Sequence, residues 1–512
     1  MLLALAPTAL TPGTAAPAIG ARAARNTAFS TFRHADATAL PMEVCEGALP
    51  PWLCGSYYRN GPGLFEAGER VLEHWFDGYA MLLRIALAPG EPPLLSTRYV
   101  ESEAYAAARA GEMRFAEFMT PQVAPGSGMV AIAKAAAALA AGDPTDNSCV
   151  NVVRRDGQLQ AMTETQRSWV ELDPETLATR RKIPWEGDGV GQLSTAHAQR
   201  DPAGGGWINV GTSIAPPLWS QYSIFRLDDA TPTKREVLAT IPCADGAAPY
   251  WLHSFAVTRR KVVVIEQPAA YDVGAMLGLS QASHGSVDWK PERGTRLHVL
   301  DRSSGEVETR TVPAFFFFHI ANAFDVAGGG VALDVCMFSD PQILTGLRLD
   351  SLTSDAKARD LPRSRLTRIT LPADGGAPTM AEVDDANATG EFTDLPSIAP
   401  AAVGRADYRF VYAIGASRPT CVSNRLHKTD VAGAGGDRTF EVEGTLPGEP
   451  LFVPRPGGSD EDDGAVLSMA TDADGGTSLY VLDAKDMSLL ARARSPIGLP
   501  AGFHGEFVAE NS

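Results

Sequence analysis

The residues in this chain best suited to chemistry are its nine histidines, and the question is which of them could share one metal ion. His197 sits in STAHAQRDP and His253 in PYWLHSFAVT. His319 directly follows four phenylalanines in FFFFHIANAFD, and His504 lies in LPAGFHGEFV near the C-terminus. Each falls at an expected strand edge among apolar neighbours, where an imidazole is costly unless it is hydrogen-bonded or metal-bound. Separations of 56, 66 and 185 residues exclude a local finger or a helical HExxH site. They suit a large fold in which separate repeats each send one inner residue to a common axis. Imidazole ligands serve iron, copper, nickel and zinc alike, so ligand type leaves the metal open.

The elements that must position such residues read as β-structure. From Pro41 onward, short strand-like runs alternate with Gly, Pro, Asp and Asn: WINVGTSIA (207–215), KVVVIEQP (261–268), TRLHVLD (295–301), GVALDVCMF (330–338), YRFVYAIG (408–415), GAVLSMATD (464–472) and TSLYVLDA (477–484). Many short strands at this spacing predict an all-β sandwich, barrel or propeller. At 512 residues the propeller is the natural choice, because radial repetition leaves few exposed edges. No strong internal repeat gives a blade count. One segment breaks the pattern. GSGMVAIAKAAAALAAGDP (126–144) is Ala-rich and predicts a helix, either packed on the body or offering an apolar patch to a membrane. Arg59-Asn60-Gly61-Pro62-Gly63 reads as a turn, as do Asp77-Gly78 and Asp462-Asp463-Gly464. SDEDDG (459–464) lacks the spacing of a calcium-binding EF-hand loop.

Composition narrows the class. Charged residues make up 21% and hydrophobic ones 45%, with a net charge of −17, which argues against nucleic acid as a partner. The six cysteines form no CxxC pair, so neither a zinc ribbon nor a disulfide scaffold is expected, and a reducing intracellular compartment fits. No apolar run is long enough to cross a membrane. Residues 1–40 are expected to be a flexible N-terminal segment ahead of one domain, 41–512. The first 35 residues carry arginines and no acid, as a plastid transit peptide would; an ordinary disordered tail on a cytoplasmic protein fits equally.

Nine segments in order along the chain resemble the carotenoid cleavage oxygenases, the family of the β-carotene cleaving enzymes, the stilbene-cleaving oxygenases and the retinal pigment epithelium isomerohydrolase. They are GALPPWLCGSYYRNGPGLFEAG (47–68), HWFDGYAMLLRI (74–85), TDNSCVNV (145–152), TETQRSWVELDPETL (163–177), STAHAQRDP (194–202), HSFAVT (253–258), FHIANAFD (318–325), EPLFVPRPGGSDEDDGAVLS (449–468) and GFHGEF (502–507). The resemblance implies a seven-bladed β-propeller with a loop-and-helix cap over the active-site face. It implies an Fe(2+) centre on His197, His253, His319 and His504, with the outer ring nitrogens braced by carboxylates. Glu164 and Glu449 match the family's glutamates. The third position is held by Asp394, one methylene shorter, with Glu391 nearby as a substitute. No family role transfers to His34, His74, His284, His298 or His427, and His74 is read as structural.

The implied reaction is O2-dependent cleavage of a conjugated C=C bond to carbonyl products. Phe317, Phe318 and Phe503 flank ligands and are candidates for the substrate tunnel or, equally, for propeller core. TDN, VNV, TET and the upstream EFM (117–119) resemble the animal-type β-carotene oxygenase and isomerohydrolase branch, although its PDPCK-like segment is missing. Stilbene-cleaving members hold a phenol with a Tyr–Lys pair, and no lysine occurs between Lys134 and Lys182. A carotenoid or apocarotenoid substrate is therefore expected, with retinoid isomerohydrolysis or stilbene cleavage as alternatives. Peripheral membrane contact is expected through 126–143.

Overall fold

A computed structural model describes residues 21–510 apart from 35, 114–118, 122–127, 142–144, 156, 165–167, 188, 214–219, 244–248, 278, 281 and 283. Residues 1–20 of the expected N-terminal segment and both ends of the Ala-rich stretch lie outside the described residues.

Seven antiparallel sheets follow one another along the chain and form the blades of a β-propeller. The inner strands of blades two to seven include Asn151–Arg155, Gln199–Arg200, Ala256–Val257, Phe316–Asp325, Asp394–Ser397 and Leu451–Pro454. Blade one takes its inner strand, Gly505–Ala509, from the C-terminus, paired antiparallel with Gly55–Leu64. A second closure joins Glu43–Gly47 to Leu489–Arg494 at the outer edge of blade seven. Ring closure by pairing both chain ends removes the sheet edges that an open array would expose.

Each of the seven runs singled out in the sequence contains a strand in a middle position of its blade. Middle strands are covered on both faces, so most of their residues are apolar. Outer strands such as Val307–Val312 and Arg438–Glu441 are largely exposed. Most inner strands are short, two to five residues, whereas that of blade five, Phe316–Asp325, has ten and is broken by bulges.

Two expectations change. RNGPG is not a turn but the buried middle of the strand Gly55–Leu64. Its glycines permit close approach: an added Cβ at Gly61 would meet Gly502 Cα at 2.5 Å, and one at Gly63 would meet Met81 Cβ at 2.6 Å. The helix Arg22–Ala28 and the strand Ala37–Pro41 pack on the propeller. Asp77 is more than a turn residue. It is fully buried, ends a short 3-10 turn, and accepts hydrogen bonds from Met119 N and Thr120 Oγ1. The Ala-rich segment does form a helix, Met129–Ala141, with Met129 and Val130 exposed.

Candidate metal centre

Four blades each send one histidine to the axis. His197 lies between the two short pieces of blade three's inner strand, Leu193–Ser194 and Gln199–Arg200. His253 precedes the inner strand of blade four, His319 lies within that of blade five, and His504 precedes Gly505 in blade one. Their Nε2 atoms converge: 3.1 Å from His197 to His253, 3.2 Å from His253 to His319 and 3.1 Å from His319 to His504. All four ligand atoms lie within 4.8 Å of one another, the one such cluster of metal-binding side chains among the described residues.

This donor set fits a metal. At a metal–nitrogen distance of about 2.1 Å, neighbouring ligands of an octahedron stand about 3.0 Å apart and those of a tetrahedron about 3.4 Å. The observed spacings of 3.1–3.2 Å fall between these values, so the four nitrogens are close enough to share one ion. Burial and the other three imidazoles hold His197 well below the usual histidine range, and burial does the same for His504. Neutral imidazole is the form that donates a lone pair to a metal.

Three carboxylates stand behind the rings. Asp394 Oδ1 lies 2.7 Å from His319 Nδ1, and Glu449 Oε1 lies 2.7 Å from His504 Nδ1. Glu164 Oε1 is 2.5 Å from His253 Nδ1 but out of line for a hydrogen bond; its Oε2 accepts from Trp251 Nε1 at 3.2 Å. No carboxylate stands against His197 among the described residues. Such partners fix which nitrogen carries the proton and turn the other toward the axis. The shorter Asp394 reaches His319 directly because its strand is bulged between Asp394 and Ser397, with Leu395 at φ +49°. Bulges commonly re-aim side chains beside active sites. Glu391 points elsewhere, to Arg363 and Arg418.

Arg59 was invisible as a site residue in the sequence. Its guanidinium, 2% exposed, donates to Glu449 Oε2 and to the Phe503 carbonyl, each at 2.5 Å. Burial pushes the Glu449 carboxyl up, and Arg59 opposes that. The one signal was an arginine inside a run of small and apolar residues. His74 is structural as expected. Its Nδ1 accepts from Phe76 N, Nε2 donates to the Leu344 carbonyl, and burial lowers it to about 3.

A cavity of about 180 Å³ opens beside His253, His319 and His504. Phe318 and Phe503 line it together with Trp75 and Phe76. Phe317 does not. It is fully buried in the core between blades four and five, among Ala256, Val263 and Leu333. Simple alternation puts Phe317 on the same side as His319. A bulge between Phe317 and Ile320 shifts the register and brings Phe318 and His319 together on the cavity side.

Residues 29–509 match the family model described as retinal pigment epithelial membrane protein. The chain is 36% identical over 475 residues to carotenoid cleavage dioxygenase 8 homolog A, chloroplastic, of Oryza sativa subsp. japonica, covering 90% of this chain and 84% of that protein. It is 30% identical over 513 residues to the β,β-carotene 15,15′-dioxygenase of Rattus norvegicus, covering 91% and 88%. A solved single-substitution mutant of the Synechocystis apocarotenoid oxygenase superposes with a TM-score of 0.78 at 25% identity, covering 96% of this chain and 99% of that one. With a propeller matched over nearly its whole length and a four-histidine cluster on its axis, the chain belongs to the carotenoid oxygenase family.

Proposed function

We propose that the protein is an Fe(2+) dioxygenase that cleaves a conjugated C=C bond of a carotenoid or apocarotenoid to two carbonyl products. The observation that carries this reading is the set of four Nε2 atoms, close enough to share one ion, opening onto an apolar cavity. Iron rather than zinc fits because O2 chemistry at an alkene needs a redox-active metal. When bound, ferrous iron supplies the reducing centre at which O2 becomes reactive toward the alkene. The chain's own part is positional. Four imidazoles would hold the ion, Asp394 and Glu449 orient His319 and His504, Glu164 stands beside His253, and Arg59 pairs with Glu449 and holds it in place. Phe318 and Phe503 press aromatic faces and edges on a flat polyene and keep water from it.

The cavity suits a hydrocarbon chain better than a phenol: among the described residues, no tyrosine or lysine that could grip a stilbene lines it. Exposed Met129 and Val130 on the helix Met129–Ala141 suit shallow contact with a membrane from which such a substrate would be drawn. The chloroplastic rice relative and the acid-free first 35 residues favour a plastid address. The test is to supply ferrous-loaded protein with β-carotene, an apocarotenal and a stilbene, then identify products by chromatography and mass spectrometry. Two carbonyl fragments from a polyene are expected; cleavage of the stilbene alone, or isomerisation without cleavage, would replace the reading.

A further inference from the structure

The helix Arg22–Ala28 precedes the first residue matched by the family model, residue 29, yet it is seated as firmly as the blades. Ala24 and Ala28 are fully buried, and Arg25 is 1% exposed. Arg25 Nη1 donates to the Leu352 carbonyl at 2.9 Å, and Nη2 pairs with Asp355. The Ala28 carbonyl accepts from Ala501 N at 2.9 Å. Seven residues cannot hold a helix alone in water, so these contacts hold it. Three loops of blade seven leave room for it with glycine. An added Cβ at Gly475 would meet Thr27 Oγ1 at 2.9 Å, at Gly498 Thr27 Cγ2 at 3.0 Å, and at Gly444 Ala21 Cβ at 3.2 Å.

The helix delivers Ala28 and Phe29 into the cavity wall, beside Leu352, Val422, Leu446 and Leu499. Phe29 stands edge-on to Trp75 with ring centroids 5.3 Å apart, and Trp75 stands 4.6 Å from Phe503, the neighbour of His504. An aromatic row therefore runs from the N-terminal helix to the metal centre. We propose that this helix is a wall of the substrate cavity and that Phe29 is a specificity-determining residue, limiting the length or bulk of the apolar substrate end that lies away from the histidines. The proposal rests on the polyene reading given above.

The test uses full-length protein and a ladder of apocarotenals of increasing chain length together with β-carotene. Cleavage gives kcat and KM, and quenching of tryptophan fluorescence gives binding. Phe29→Ala is expected to move the long-to-short ratio of kcat/KM by about tenfold toward longer substrates, mainly through KM, at unchanged iron content. Phe29→Trp should move it the other way, and Phe29→Leu should restore most of the wild-type ratio. Ratios within about twofold of wild type in both Phe29→Ala and Phe29→Trp would overturn the proposal. Should wild type cleave none of the polyenes, the oxygenase reading fails but the binding ladder still decides. A shifted optimum length in Phe29→Ala supports the wall, and an unshifted one overturns it.

Discussion

Asp394 Oδ1 meets His319 Nδ1 at 2.7 Å across the boundary between blades five and six. The aspartate sits on a bulged strand beside Leu395, which has a positive φ. Its shorter side chain is thus matched by backbone displacement, and no intermediary is needed.

Asp394→Ala removes the group that orients the His319 ring. Metal affinity should fall about 10- to 100-fold, read by competition with a chelator, while the thermal transition of the metal-free protein moves little. Asp394→Glu, too long for a site built around the bulge, should recover only part of the loss.

Arg59 and Glu449 form an ion pair with both members almost inaccessible, 2% and 7% exposed. Arg59→Met strands a buried carboxylate and should cost about 3–5 kcal/mol in denaturant unfolding. The double change Arg59→Met with Glu449→Gln should be more stable than Arg59→Met alone, because no unpaired charge is left inside.

Phe317 and Phe318 are adjacent but serve different surroundings. Phe317→Ala opens a hole between blades and should lower stability by about 3–5 kcal/mol, with KM for a polyene near wild type. Phe318→Ala should raise KM as well, because it also removes a cavity wall.

Burial raises Asp77 to about 7, whereas an aspartate in the unfolded chain titrates near 3.8. Between those values the folded state holds a proton that the unfolded chain releases, so this group's contribution to stability is full at low pH and is lost as pH rises. Asp77→Asn removes the effect. Relative to wild type, the variant should gain about 1.4 kcal/mol per pH unit across that window, measured by urea unfolding at a series of pH values.

The sequence revealed most where burial is two-sided. Middle strands such as Val331–Phe338 and Gly464–Thr471 are buried along most of their length and mostly apolar. The inner strands that carry the site are different. Blade three's is broken at His197 into two-residue pieces, and blade six's is bulged at Asp394. No periodicity marks them, so the four histidines could be grouped only through motif resemblance. Arg59 was hidden because glycine and proline serve two purposes: in RNGPG they permit tight packing in a strand, but they read as a turn. Phe317 could not be assigned to tunnel or core from the sequence because a bulge shifts the register, which residue types alone do not announce. The helix Arg22–Ala28 was folded into a compositional reading of the N-terminus, although its place depends on glycines more than 400 residues later in the chain.

The most direct measurement is isotopic. Ferrous-loaded protein is incubated with a carotenoid or apocarotenal under 18O2, and the products are analysed at once by mass spectrometry, with His253→Ala alongside. The account predicts carbonyl fragments carrying 18O from wild type and none from the variant. Unlabelled products, equal products from His253→Ala, or intact polyene at full iron occupancy would contradict it.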